Sequence, residues 1–418
     1  MTNHNPRILH LLEVSLPILA GYTIRAHNIL QEQQKYVSSL ALNDPKIMRN
    51  KNPYIKNGVP YYNFPPFPGY NLISNSKILK ALKISKGYNL INTFLFTNKK
   101  YYLSKFVEIQ KIDLIHAHSP ARFAKYGYKI ARSKKIPFIY EVRFFPEDSA
   151  VSSEKYKEDS FKYNRIHKKE TILMKKADAV VTLGQAMKND IKNRGIAEEK
   201  IFIVPNAVDT KKFVPLDPNQ FLKKKLSLHK KKVIGYIGSI RRIEGIEILL
   251  KSFSILKKNV NDIKLLIVGP VRPYSYLESL KDYSKILNIE KDVIFTGMVP
   301  YDEVNNYYSI VDICVIPRIN LRENRLVTPL KPLEVMAMGK VLLASDLPAL
   351  NELIKQNISG DLFKVENSKA LAIKLEKYLK TPEKAEMLKQ SAREYVVKNY
   401  SWSEIVKKYI PIYDKLLK

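Results

Sequence analysis

The chain has 418 residues, a single cysteine (Cys314) and a formal net charge of +31. That length exceeds one ordinary core and predicts two domains. The 45% apolar content excludes a disordered chain, and the lone cysteine excludes an intrachain disulfide and fits a reducing compartment.

The first apolar run, "ILHLLEVSLPILAGY", is too short for the roughly 20 residues of a membrane span, and Glu13 interrupts it. Neither its leader nor a cleavage site reads as a signal peptide, so it is expected to be a buried strand. Gly21 follows it and opens a helix carrying Arg25 and His27. A glycine there lets the backbone approach a ligand, and a helix N-terminus favours an anion; an ordinary strand-to-helix turn is the plainer alternative. Pro45–Val107 then holds eleven Lys/Arg and no Asp or Glu. This excess favours anionic partners, and the Tyr, Phe and Pro of "NPYIKNGVPYYNFPPFPGYN" suit an interfacial surface, with a strand and surface loop as the alternative. No recognisable nucleic-acid module accompanies the charge, so nucleic acid is not an expected partner.

Next comes "DLIHAHS". His116 and His118 are expected to point to opposite faces of a strand and so not to share a metal. His118, at the strand end, is expected to face a cleft and orient a substrate hydroxyl. Helical patterns cover Ala121 to Ser133 and Gln185 to Arg194. In "YEVRFFPEDSA", Glu141 and Arg143 point the same way, Arg143 suiting a phosphate or sugar and Glu141 pairing with it. Strands "DAVVTLG" and "KIFIVPN" follow, and after a polar seam from Asp209 to Lys232 the theme repeats in "VIGYIGS", "IKLLIVG", "VIFTG", "DICVIP" and "VLLAS". Near-continuous apolar strands with helical connections predict an α/β protein of two doubly wound, Rossmann-like domains. Their ligands are expected beyond the carboxyl ends of the strands, in a cleft between the domains.

Two loops of the second half carry chemistry. In "GYIGSIRRIEGIEIL", Arg241 and Arg242 near a strand end suit a diphosphate, while GxxxxGK[ST] is absent, which argues against a nucleotide triphosphatase of the P-loop kind. In "LVTPLKPLEVMAMGK", Pro332 fits a first helical turn and Gly339 a helix stop, predicting a short helix from Leu333 to Met338. Lys331, the helix dipole and backbone N–H groups from Thr328 through Leu330 to Leu333 form a candidate anion seat. Glu334 aims a carboxylate at the same mouth, where it suits a vicinal diol such as a ribose. The plainer alternative is a dipole-stabilising glutamate beside a solvated lysine.

These blocks, in this order, with "IVPNAVDTKKFVP", "VIFTGMV", "PLEVMAMGKVLLASDLPALNELI" and the terminal "YSWSEIVKKYIPIYDKLL", resemble the GT-B glycosyltransferases of family 4 over nearly the whole chain. The resemblance implies GT-B architecture, two Rossmann-like domains facing across a cleft. It implies an acceptor-side domain over residues 1–212, a nucleotide-sugar domain over 213–395 and a crossing-back helix over 396–418. It implies a retaining, metal-independent transferase with no cofactor, moving a sugar from a UDP- or GDP-sugar to a glycan or lipid-linked acceptor. The wording of several blocks is similar to a surface-polysaccharide subgroup. Carried over, Glu334 binds the ribose, Gly21 lies beside the diphosphate, His118 near the transferred sugar and acceptor, and Val299 at the base. Arg25, Arg143 and Glu141 fall on the acceptor side.

Three positions depart from the family. Leu326 stands where a first glutamate is common, Ser239 where an arginine is, and Glu244 where a lysine is. Lys331, Arg241, Arg242 and Arg325 are the cations expected to replace the missing ones, with Lys331 and Arg241, alongside His118, read as catalytic. The charge adds an anionic membrane partner and a cytoplasmic, peripheral location on the inner face of the plasma membrane. Rival readings on the same residues are a sugar-nucleotide epimerase and a catalytically inactive membrane-associated scaffold.

Overall fold

The computed structural model describes residues 5–18, 20–43, 53–63 and 99–418. Most of the acid-free stretch Pro45–Val107 lies outside the described residues, so the interfacial surface expected there has no structural counterpart to report. The chain divides into two compact units: Met1–Leu183 with Met187–Val204 and Val406–Lys418, and Gly184–Ala186 with Pro205–Ile405.

The first unit carries an eight-stranded sheet in the order β3-β4-β2-β1-β5-β6-β7-β8. Its strands are β1 (Arg7–Leu12), β2 (Ser38–Asn43), β3 (Tyr54–Lys56), β4 (Val59–Asn63), β5 (Leu114–His118), β6 (Phe138–Val142), β7 (Ala179–Thr182) and β8 (Ile201–Ile203). All pairings are parallel except β3 with β4. Asn57 and Gly58 join that hairpin with φ of 49° and 77°, the paired left-handed residues a tight twisted turn requires. "NGVPYYNF" is thus a turn and a strand in its described part. The expected first strand is there too: Ile8, Leu9, Leu11 and Leu12 are buried in β1.

The second unit carries a six-stranded, all-parallel sheet in the order β11-β10-β9-β12-β13-β14. These are β9 (Lys232–Ile237), β10 (Ile263–Val268), β11 (Val293–Gly297), β12 (Ile313–Ile316), β13 (Val341–Ser345) and β14 (Asp361–Phe363). Val233 and Ile237 of β9 pack in one core, and Ile234 and Tyr236 in another on the opposite face. Burial on both faces is why these strands read as continuous apolar runs rather than as alternation. No helix among the described residues is long and apolar enough to cross a membrane.

Helices form at Ala121–Lys134 and Gln185–Asn193, within a residue of the expected spans. The short helix after "VTPL" runs over Lys331–Ala337, two residues earlier than expected. Leu330 starts it, its carbonyl taking the N–H groups of Leu333 and Glu334. The N–H of Leu333 is therefore spent inside the first turn and does not join the expected anion seat. Gly339 ends the helix at φ 60°, as a left-handed stop should. Residue 396 falls inside the helix Pro382–Tyr400, whose Leu388, Ala392 and Val396 are buried; the chain rejoins the first unit from Val406.

Candidate functional site

In the first unit, strand register assembles a polar core. His10 of β1 lies opposite His116 of β5, and His118 lies opposite Glu141 of β6. Residues two apart on a strand share a face. His116 and His118 accordingly stack, with centroids 4.8 Å apart and planes at 6°. The expectation that they point to opposite faces is overturned: it miscounted the strand period.

Gln33, at the end of the helix Gly21–Gln33, fixes which way the protons run. Its amide nitrogen donates to the Tyr413 hydroxyl at 2.8 Å, and its oxygen accepts from Ser39 Oγ at 3.0 Å. That oxygen also lies 2.9 Å from His10 Nε2, which must therefore donate. Burial pushes His10 and His118 well below the usual imidazole range, so both are neutral. His10 Nδ1 is then an acceptor, and His118 Nε2 donates to it at 2.9 Å. Tyr413, having accepted from Gln33, gives its own proton to His116 Nδ1 at 3.0 Å.

Glu141 closes the network from fully inside the unit. It accepts from Tyr409 Oη at 2.6 Å and Arg25 Nε at 3.1 Å, and His116 Nε2 faces it at 3.1 Å. Burial pushes this carboxyl up, but Arg25 beside it, with the N–H of His116, holds it well below the usual carboxylate range. The expected Glu141–Arg143 pair does not form. Arg143 turns to the Tyr22 carbonyl at 3.0 Å, and Arg25 takes its place. Arg25, Glu141, Arg143 and His118 are all buried, and the Nε2 of His118 is spent on His10. Gly21 is exposed in the first helical turn, without the positive φ that would call for glycine.

The nitrogens of His10, His116 and His118 lie within 4.8 Å of one another, a spacing that invites the question of a metal. Four of the six ring nitrogens are engaged, while His116 Nε2 and His118 Nδ1 face Glu141 at 3.1 and 3.7 Å. His10 Nδ1 and His118 Nε2 are joined to each other, His10 Nε2 and His116 Nδ1 to Gln33 and Tyr413, and the cations Arg25 and Arg143 lie alongside.

The second unit gathers charge at the carboxyl ends of β9 and β12. Glu244, in the loop after β9, receives Lys331 Nζ at 2.9 Å, Arg318 Nε at 3.4 Å and Arg241 Nη2 at 3.6 Å. Lys331 also donates to the Tyr236 hydroxyl at 2.5 Å. Burial pushes the Glu244 carboxyl up, but Lys331, Arg318 and Arg241 drive it far below the usual range. Burial lowers Lys331 to about 8, against the upward pull of Glu244. Lys331 is thus no solvated lysine.

Glu334, one turn along from Lys331, accepts from Tyr308 Oη at 3.1 Å, and its other oxygen has no hydrogen-bond partner among the described residues. Burial raises its carboxyl above the usual value. Thr328 is held by Asn206, whose amide donates to the Thr328 carbonyl at 2.6 Å and lies 3.2 Å from its hydroxyl. Leu330 begins the helix, and Val299 packs half-buried against the core. The remaining candidates do not join the cluster. Ser239 is exposed, its carbonyl accepting from Tyr236; Arg242 is exposed, over the Tyr276 ring; Arg325 is exposed, donating to Asn320.

Sequence reasoning missed His10, Gln33, Tyr409 and Tyr413 in the first unit, and Arg318 and Tyr236 in the second. The signals were slight: one histidine inside "RILHLLEV", tyrosines four apart in "YIPIY", and an arginine closing "DICVIPR".

Two family models match the chain: Glycosyltransferase Family 4 over residues 37–212 and Glycosyl transferases group 1 over 218–395. The alpha-monoglucosyldiacylglycerol synthase of Streptococcus pneumoniae is 26% identical over 69% of this chain and 66% of its own. The N,N'-diacetylbacillosaminyl-diphospho-undecaprenol alpha-1,3-N-acetylgalactosaminyltransferase of Campylobacter jejuni is 24% identical over 78% of this chain and 84% of its own. Among solved structures, Anabaena HepE in complex with UDP and glucose superposes with a TM-score of 0.72 at 16% identity, covering 99% of this chain and 100% of its own. That likeness shows a shared GT-B fold.

Proposed function

The chain belongs to the GT-B glycosyltransferases of the family 4 type, and we propose that it transfers a sugar, with its anomeric configuration retained, from a UDP- or GDP-sugar to a hydroxyl of a glycan or lipid-linked acceptor in cell-surface polysaccharide or glycoconjugate synthesis. The observation that carries this reading is the cation cluster of Lys331, Arg318 and Arg241, with Glu334 one helical turn away. Supporting it, the Anabaena structure is named with UDP, and the Campylobacter relative is named for a diphospho-undecaprenol substrate.

The costly event is cleavage of the bond between the anomeric carbon and the phosphate oxygen. Negative charge grows on the leaving diphosphate and positive charge on the sugar. Lys331 and the two arginines meet that negative charge; one such fixed group is typically worth roughly 2.7–4 kcal/mol. The new bond joins the acceptor oxygen to the anomeric carbon, and the acceptor proton passes to the departing diphosphate, so no strong protein base is required. Glu334 takes the ribose hydroxyls. The +31 charge supports attachment to the anionic inner face of the plasma membrane, where a lipid-linked acceptor resides.

The test is a thermal-shift screen with UDP, GDP and their sugars, followed by mass spectrometry of products. Stabilisation by one nucleotide family and sugar transfer to an added acceptor is the expected result. Acceptor-free interconversion of the nucleotide-sugar would mark an epimerase instead, and no nucleotide binding would mark an inactive scaffold. Co-sedimentation with anionic vesicles at low salt tests the membrane location.

A further inference from the structure

We propose that Glu244 and Arg318 belong to the binding site itself: Glu244 is an internal anion that holds three cations in place until a diphosphate exchanges with it, and Arg318 is the cation that makes the seat prefer a diphosphate to a monophosphate. This rests on the donor-binding reading of the same cluster.

The charges require a partner. Lys331, Arg318 and Arg241 converge on one carboxylate, leaving two positive charges in surplus. Crowding three cations near the protein interior is costly unless they are paired. One carboxylate holds them together, and the surplus of two selects a group that brings at least two negative charges.

The distances divide the work. Lys331 meets Glu244 at 2.9 Å, a full charge-assisted contact. Arg318 reaches Glu244 by two stretched bonds, Nε at 3.4 Å and Nη2 at 3.5 Å, and Arg241 stands off at 3.6 Å, all longer than a full charge-assisted contact and so the weaker holds to exchange. Exposure rises outward as well: the Glu244 side chain is 2% exposed, Arg318 8%, Lys331 17% and Arg241 39%. The carboxylate lies at the bottom and the cations line the way in, which is the order an entering anion needs.

The backbone is built for the close approach. Gly238 has φ 146°, and a Cβ there would lie 2.2 Å from Lys331 Cε, so a side chain at this position would displace the lysine from the end of β9. Gly245, at φ 68°, passes so near the chain before Arg318 that a Cβ would sit 2.0 Å from the Pro317 carbonyl oxygen. These two glycines press Glu244, Lys331 and Arg318 together from three separate segments. Arg318 is further aimed by its bond to the Val327 carbonyl at 3.2 Å.

The experiment is calorimetry at pH 6.5, where Lys331 is charged, with pyrophosphate, UDP, GDP, UMP and GMP, on the full chain and on Arg318→Met, Arg318→Lys and Glu244→Gln variants whose fold is checked by circular dichroism. The unaltered chain should bind the diphosphate of its nucleotide at least tenfold more tightly than the monophosphate. Arg318→Met should lose about tenfold for the diphosphate and much less for the monophosphate, with Arg318→Lys between the two. Glu244→Gln removes the competing anion and should tighten pyrophosphate binding about threefold or more. Equal diphosphate affinity in Arg318→Met, or unchanged or weaker pyrophosphate binding in folded Glu244→Gln, overturns the proposal, as does an unaltered chain indifferent to pyrophosphate. Pyrophosphate binding without any nucleotide binding would instead leave the anion seat standing and remove the nucleotide-sugar reading.

Discussion

Lowering the pH from 7.5 to 5.5 should loosen the first unit through its histidines, with a magnitude that follows from their burial. His10 and His118 are pushed well below their ordinary value of 6.5 by burial, and His27 is pushed to about 4 by burial and then by Lys56. All three resist protonation in the folded unit but take up protons once it opens, so stability is lost as the pH falls below 6.5. A histidine kept neutral throughout contributes about a tenfold increase in the opening constant over this interval, so the three contribute at most about a thousandfold together. Glu170 works the other way. Burial raises it to about 7, against its bonds to Tyr140 and the Ala121 N–H, so the folded unit binds its proton first and gains stability on acidification. That offsets about twentyfold, leaving a net rise of at most about fortyfold, or about 2 kcal/mol. Glu141 enters only at lower pH, since its carboxyl is held below the usual range. Hydrogen exchange of peptides from β1, β5 and β6, corrected for intrinsic rates, reads this opening directly. Exchange faster at pH 5.5 by up to about fortyfold, and by up to about a thousandfold in Glu170→Gln, is the expected result. Rates that stay level or fall would refute the neutral, buried histidine network.

Lys331→Met should cut sugar transfer about a hundredfold or more at saturating donor, read by steady-state kinetics; unchanged turnover in a folded variant removes Lys331 from the phosphate site. Glu334→Gln should weaken nucleotide binding about tenfold by calorimetry, because a neutral amide accepts more weakly from a diol; unaltered affinity would refute the ribose role. Arg25→Met strands the Glu141 carboxylate in the interior and should destabilise the first unit by about 3–5 kcal/mol, whereas Tyr409→Phe removes one hydrogen bond to that charge and should cost about 1.5–3 kcal/mol. Urea denaturation that ranks the two in the opposite order would show that Arg25 is not the main counter-ion.

Much of the architecture could be read from the amino-acid order. Runs such as "IKLLIVG" and "VLLAS" announce parallel strands buried on both faces because no polar alternation interrupts them. Pro332 and Gly339 bracket a short helix because one lacks an N–H that a first turn can spare and the other tolerates left-handed backbone. The ordered blocks of "GYIGS", "FTGMV" and "PLEVMAMGK" gave the family, and Lys331, Arg241 and Glu334 were identifiable as charged groups at strand ends.

What only the tertiary structure decided is which charges meet. Glu141 lies two residues from Arg143 in sequence, yet it pairs with Arg25, 116 positions away, because the fold brings Arg25 of the helix Gly21–Gln33 within reach of β6. Tyr409 and Tyr413 join that network from the far end of the chain, through a return that local periodicity cannot express. Glu244 reads in sequence as the loss of a cation. In space it is the anion on which Lys331, 87 positions later, and Arg318 converge. Hydrophobic period and turn chemistry act over a few residues and leave their record in local order. Electrostatic partnership depends on which strand ends the sheet brings together, and that is set by topology.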